Sequence, residues 1–237
     1  MQGGAFMLEK PYCTVLSNQI STDFPELKAF ILQNQLRQAT YKKGSVVPPV
    51  PKNQLMYLVC GSLKSYMCDE NGDERLIYIL LDDTIVFSAV DDYFLKTLVA
   101  QEPITAYYVD RASVFVFLQN DSEYIKKYCR IINARYGALL QQALSVNHCS
   151  AKYKVYSFLH QIAQKYGNTD SSGRIVIASF PTFTDIASIT GVHRSNATSY
   201  INELKAQDVI ARDKNCFVIN DMALLEKIID SLNACKN

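Results

Sequence analysis

Between Phe180 and Arg212 the apolar positions of FPTFTDIASITGVHRSNATSYINELKAQDVIAR recur first at helical and then at strand spacing. Ile186, Ala187 and Ile189 share one face of a helix running from about Thr182 to Thr190. Gly191 follows where a sharp interhelical turn needs positive φ, and Val192 fills the corner. A second helix opens near His193–Arg194 and turns Ala197, Tyr200, Ile201 and Leu204 inward. Its opposite face carries Arg194, Ser195, Thr198, Ser199 and Asn202. Val209–Arg212 and Cys216–Ile219 then read as two strands joined by a turn at Asp213-Lys214-Asn215.

The remaining pattern divides the chain in order. One amphipathic helix, capped by Thr22 or Asp23 with Pro25 in its first turn, carries Leu27, Phe30, Ile31 and Gln35 at helical spacing. From Ala39 come short runs rich in Val, Ile, Tyr and Leu: YKKGSVVPPVP, LMYLVCGSLKSYMC, DENGDERLIYILL, DDTIVFSAV and ITAYYVDRASVFVF. With Asn71-Gly72 as a hairpin signal, these predict an antiparallel β-roll, jelly-roll-like. A long helix follows over about Asp121–Asn147, with Ile125, Tyr128, Ile132, Tyr136, Leu139, Ala143 and Val146 in steps of three and four. Either this stripe pairs with a second copy of itself as a dimer seam, the expected case, or it packs on its own β-domain. A helix over Lys152–Tyr166 (Val155, Phe158, Leu159, Ile162) ends at Gly167, and NTDSSG reads as a surface loop. RIVIASF reads as a strand, and Asn220 or Asp221 caps a last helix with Leu225, Ile228, Ile229 and Leu232. The fold class is therefore α+β: a roll over 1–119, a dimerisation helix over 120–149 and a winged helix-turn-helix over 150–237.

A bare helix–glycine–helix pattern also fits an ordinary hairpin with a solvated outer face. Here Ala187, the glycine four positions later and the apolar residues beyond it fall at helix-turn-helix offsets, and a hairpin follows as a wing. The outer face is polar, able to hydrogen-bond and poor in carboxylates, as a helix in a DNA major groove requires. Composition adds little. The formal net charge is +1, but residues 1–119 hold ten basic against thirteen acidic side chains and residues 120–237 hold fourteen against ten. The basic excess lies with the expected DNA-binding half. No apolar run approaches the roughly 18–20 residues of a membrane span. The first residues show no basic segment followed by an apolar core, so a cytoplasmic location is expected. Seven scattered cysteines without a CxxC pair fit reduced thiols there.

YKKGSVV with LMYLVCGSLKSYMCDENGDERLIYILL, KVYSFLHQIAQKYG, and TDIASITGVHRSNATSYINELKAQDVIAR together resemble the Crp/Fnr family of bacterial transcription regulators. The resemblance covers most of the chain. It implies a dimer on two-fold symmetric double-stranded DNA, RNA polymerase as a further partner, and an effector held by the roll against the long helix. In cyclic-nucleotide binders of the family a Gly-Glu-Leu turn and an Arg-Ser or Arg-Thr pair hold the ligand; here Phe87 stands about where the Glu would, and Lys96-Thr97 about where the pair would. The expectation is therefore a less polar effector than cyclic AMP, with Ile85, Phe87, Val90, Phe94 and Leu98 as an apolar lining and Lys96 facing any acidic group. The alternative is a cavity filled by Phe87 and its neighbours. Cys13 stands alone where an iron–sulfur branch needs several cysteines, and all three histidines lie outside the roll, so no cofactor is expected.

On the recognition helix the resemblance assigns Arg194 to a base, or else to a phosphate, and sets Ser195 and Ser199 at base-reading positions. Asn196 and Thr198 fall to phosphates, with His193 beside them. His148, Cys149 and His160 form no plausible metal set, since adjacent residues rarely serve one tetrahedral ion. No nucleotide-binding, hydrolase or metalloprotease motif is present, and no enzymatic activity or catalytic residue is expected. The rival to a ligand-controlled regulator is one controlled by thiols, through Cys60 and Cys68, or by a partner protein.

Overall fold

The computed structural model describes residues 15–16, 20–68, 72, 74–87, 95–177, 181–213 and 216–234. They form two compact units, one reaching to Gly137 and the other running from Ala138, so the division falls inside the long helix.

The first unit contains β1 (Val15–Leu16), α1 (Ile20–Asp23), α2 (Pro25–Gln33), β2 (Gln35–Tyr41), β3 (Val46–Val47), β4 (Gln54–Cys60), β5 (Leu63–Cys68) and β6 (Glu74–Leu80). β7 (Thr84–Val86), β8 (Leu95–Ala100), β9 (Ile104–Asp110), α3 (Arg111–Leu118) and the first part of α4 (Ser122–His148) follow. The strands make a roll of two sheets, ordered β1-β6-β5-β8-β3 and β2-β9-β4-β7. Pairing is antiparallel apart from β1, which runs parallel to β6 with Val15 opposite Ile79. β5 and β6 form the expected hairpin, closing with Cys68 opposite Glu74. Gly72 in its turn has φ 86°, and Asn71 lies outside the described residues.

Three local expectations are corrected. The turn α1 carries the chain through Thr22 and Asp23, so Phe24, fully buried, is the cap residue of α2. Gln35 does not extend that helix: Asn34 closes it, its side-chain amide donating to Phe30 O at 2.9 Å, and Gln35 opens β2. The strand read through ITAYYVDRASVFVF stops at Asp110. Its carboxylate accepts from Ser113 N at 2.8 Å and Ser113 Oγ at 3.0 Å, which starts α3 and buries Val114 and Leu118 four residues apart. Propensity in VFVF favours a strand, and the cap with the helical burial spacing overrides it. These short helices close one side of the roll: Phe24, Leu27, Ile31, Leu55, Tyr57, Ile85, Val109, Val114, Leu118, Tyr128 and Ile131 belong to one apolar cluster.

Along α4 the apolar stripe splits into two faces. Tyr128, 8% exposed, and Ile131 turn into the roll's core, whereas Ile125 (46%), Ile132 (43%), Tyr136 (61%) and Leu139 (37%) face outward. Cys129 is exposed and sits four residues after Ile125 and three before Ile132. The outward face therefore runs 125, 129, 132, 136, 139, with Cys129 in the place the sequence reading gave to Tyr128. Ala143 and Val146 have side chains outside the described residues.

The second unit holds the rest of α4, α5 (Ala151–Tyr166), β10 (Asn168–Thr169), β11 (Ile175–Ile177), α6 (Phe183–Thr190), α7 (Arg194–Ala206), β12 (Ile210–Asp213), β13 (Cys216–Ile219) and α8 (Met222–Ala234). Ser150 caps α5 by accepting from Tyr153 N at 3.2 Å, and Val155, Phe158, Leu159 and Ile162 are buried. Asn168 and Thr169, expected in a loop, pair as β10 with β11, because Asp170 accepts from the backbone of Ser172 and Arg174 and folds the chain into a hairpin. The antiparallel sheet is ordered β10-β11-β13-β12. Of the two candidate caps for α8, Asp221 accepts from Leu224 N at 2.8 Å; Asn220 instead donates to Asp208, a residue at φ 56°. Among the described residues no helix is long and apolar enough to cross a membrane, and no group of three metal-ligating side chains occurs.

Candidate nucleic-acid interface

The interface begins with a cap. Thr182 Oγ1 accepts from Asp185 N at 3.2 Å, while Asp185 Oδ2 accepts from Thr182 N at 2.8 Å and Thr182 Oγ1 at 2.7 Å. This reciprocal box engages the carboxylate of Asp185, which is buried, in closing the start of α6. α6 ends on Gly191 at φ 64°, ψ 30°, whose N–H donates to Ala187 O and Ser188 O while Val192 N donates to Ala187 O at 3.0 Å. That left-handed residue turns the chain sharply into α7.

On α7, Ala197, Ile201 and Leu204 are fully buried and hold the helix against its unit. Tyr200 is half-buried; its ring meets that of Tyr156 edge-on at 6.5 Å and its carbonyl accepts from Tyr156 Oη at 3.1 Å. Arg194, Ser195, Asn196, Ser199 and Asn202 are exposed, as is His193 at the cap. Two of these groups are already engaged with each other: His193 Nδ1 and Ser195 Oγ are 2.8 Å apart. Thr198 is half-buried, and its hydroxyl donates to Arg194 O at 2.9 Å, leaving lone pairs but no free proton. The first acidic residue on the helix, Glu203, is neutralised by Lys152 of α5.

The wing hairpin pairs Arg212 with Phe217 and Asp213 with Cys216; Lys214 and Asn215 lie outside the described residues. Beside it is an open cleft of about 250 Å³ lined by Pro181, Thr182, Phe183, Thr184, Arg194, Arg212, Cys216 and Phe217. The cleft thus joins the start of α6, the first residue of α7 and the wing. Its two charges are both guanidinium groups, and among the described residues neither has an ion pair. Arg212 escaped the sequence reading. Its signal was its place, a basic residue on the wing strand one position from the turn.

In the roll, Ile85 is fully buried, Phe87 is half-buried, and Thr97 is half-buried opposite Tyr66. The side chain of Lys96, and Val90 and Phe94, lie outside the described residues. β7 and β8 belong to different sheets, so Ile85 and Thr97 are not strand neighbours. Phe87 packs edge-on against Tyr128 of α4 at 6.0 Å, and the guanidinium of Arg135 lies 4.6 Å from its ring centre. Arg135 is a cation the sequence reading missed, because it arrives from the helix and not from the loop.

Of the expected thiol pair, Cys60 is exposed and Cys68 half-buried. Cys60 ends β4 and Cys68 ends β5, strands of different sheets. His160 is buried with Nε2 2.6 Å from Glu226 Oε1, a contact between α5 and α8.

The profile of the Crp-like helix-turn-helix domain matches residues 153–228. Comparison with curated protein sequences gives no match. Among solved structures, CprK complexed with OCPA is similar at 18% identity, with 86% of this chain and 93% of that chain covered and a TM-score of 0.67. FixK2 from Bradyrhizobium japonicum is similar at 14% identity over 81% and 96% of the two chains, TM-score 0.69. A CooA mutant from Carboxydothermus hydrogenoformans is similar at 16% identity over 85% and 90%, TM-score 0.68. The roll, the long helix and the winged helix occur in that order in a fold shared with these structures, and residues 153–228 at its C-terminal end form a Crp-like helix-turn-helix domain.

Proposed function

We propose that the protein acts as a homodimer on a two-fold symmetric double-stranded DNA site, controlled by a small organic effector in the roll that is not cyclic AMP. The observation that carries the DNA reading is the exposed face of α7, which presents Arg194, Ser195, Asn196 and Ser199 without a carboxylate, beside Arg212. A guanidinium at the start of a recognition helix suits the O6 and N7 atoms of guanine, and the short hydroxyls of Ser195 and Ser199 suit further base edges. Asn196 and Thr198 reach phosphates; Thr198 must first release Arg194 O to donate. In this reading residues 1–119 sense, 120–149 dimerise and 150–237 bind DNA, in the cytoplasm, with RNA polymerase as the partner at the promoter.

The dimer is supported by the outward row Ile125, Cys129, Ile132, Tyr136 and Leu139, which has the three-and-four spacing of a paired-helix seam. A ligand-controlled roll is supported by the aromatic and cationic surroundings of Phe87; CprK, similar in fold, is known with OCPA bound. The alternative is a regulator controlled by thiols or by a partner protein with no small-molecule ligand, for which Cys60, exposed, and Cys68, half-buried, are the candidate thiols. Selecting bound fragments from a random DNA pool tests the proposal. The expected product is an inverted repeat with half-sites about one helical turn, some 34 Å, apart. An asymmetric site, or no enrichment, refutes it.

A further inference from the structure

Arg135 lies on α4 with its guanidinium turned into the roll. Nη2 donates to Thr84 Oγ1 at 3.2 Å and to Ile85 O. Phe87 covers one side of the group, and Tyr78 Oη lies 3.5 Å from Arg135 O. Its Nε is buried and has no acceptor. Among the described residues no carboxylate pairs with it. Burial holds its pKa down to about 10, against the opposing pull of the nearby phenols Tyr78 and Tyr128. The same burial raises Tyr78 to about 12, so this phenol remains a proton donor. A guanidinium has five N–H donors, and one nitrogen here supplies both the contacts described. Among the described residues this cation keeps an unused donor, has neutral hydroxyls beside it and no counter-charge, and so is poor in acceptors. Enclosed charges are ordinarily paired.

We infer that Arg135 is the anion receptor of the effector site: the roll takes a small aromatic or otherwise apolar organic acid, its carboxylate on the guanidinium and its apolar body against Phe87 and Tyr128. This rests on the effector-controlled reading of the roll and names the ligand class for it. A carboxylate offers two oxygens to the guanidinium fork, with Nε as one of the two donors, the arrangement such pairs favour. The rings of Phe87 and Tyr128, which meet edge-on at 6.0 Å beside the guanidinium, offer aromatic surface to the apolar body of such an acid. Because Arg135 also tethers α4 to Thr84 and Ile85, a ligand on it acts directly on the contact between the long helix and the roll.

The test uses the full chain and pairs of probes differing only in charge. Phenylacetate and phenylacetamide lead a panel of aromatic and aliphatic monocarboxylates with their amides, read by calorimetry and by the thermal unfolding midpoint. In the wild type the acids bind and raise the midpoint, and the amides do neither. Arg135→Gln weakens the best acid by about ten- to a hundredfold, the worth of a charged hydrogen bond; Arg135→Lys, with charge but no fork, falls between. If amides bind as well as acids, if no acid binds, or if Arg135→Gln binds the acid unchanged, the assignment is overturned. The acid–amide comparison decides even if both variants fail to fold. A neutral compound that binds the roll and alters DNA affinity overturns the anion receptor while leaving effector control standing. Cyclic AMP that binds and is lost with Arg135→Gln does the reverse, refuting the effector class proposed for the protein but not the receptor.

Discussion

Arg194 and Arg212 carry one charge each into the same cleft, yet their settings assign them different work. Arg194 opens a helix whose exposed face is otherwise hydroxyls and amides, whereas Arg212 projects from a strand of the wing. Arg194→Ala is expected to relax base preference at one position per half-site, at about 1–3 kcal/mol for each lost bidentate contact. Binding of a site series in which that position is varied checks it; equal weakening on every sequence would make Arg194 a phosphate contact. Arg212→Ala is expected to do what Arg194→Ala does not: weaken all sequences alike and flatten the plot of log affinity against log salt by about 1 per protomer. An unchanged salt slope would remove Arg212 from the interface. Both side chains are visible in the sequence, but only Arg194 lies in a motif that announces itself. Arg212 and Arg135 gain their meaning from what faces them, Thr182 and Arg194 in one case and Phe87 in the other, and no local spacing encodes those neighbours.

At the scale of the element, α4 shows how a periodic pattern can be read correctly and assigned one residue off. Steps of three and four fit Tyr128 and Cys129 equally well, and an apolar ring is the natural choice for a seam. The roll claims that ring: Phe87, Phe115 and the core around Ile131 surround Tyr128, and Cys129 is left facing out. If the outward row is the dimer seam, Leu139→Glu is expected to dissociate the protein, since an unpaired charge in an apolar contact costs several kcal/mol. Sedimentation at micromolar concentration reads this, and a monomeric wild type would refute the seam. The corrected register adds a sharper check. With two copies of α4 parallel about a two-fold axis, the two Cys129 thiols face each other, so mild oxidation is expected to link the wild type through one disulfide that Cys129→Ser abolishes. α3 was hidden for the opposite reason. VFVF has strand propensity, and the cap at Asp110 decides against it only because Val114 and Leu118 find a core to enter.

For the whole molecule, the order roll, long helix and winged helix was legible because each part has its own periodicity: two in the strands, three and four in the helices, and a glycine at the one corner that needs φ 64°. The surroundings of Arg135 in the roll were not legible, since they are assembled from a strand end and a helix some fifty residues apart in sequence, Thr84 and Arg135. Calorimetry with micromolar cyclic AMP is expected to give no heat; measurable binding would refute the effector class proposed here. The outer strands of the larger sheet bear on a different property. β1 and β3 are two residues each, and β1 lies along β6, whose ERLIYIL is the kind of segment that readily adds to a neighbouring chain. Val15 and Leu16 thus guard the solubility of the protein as well as completing its sheet, and a chain shortened past them would present a bare, adhesive edge to its own kind.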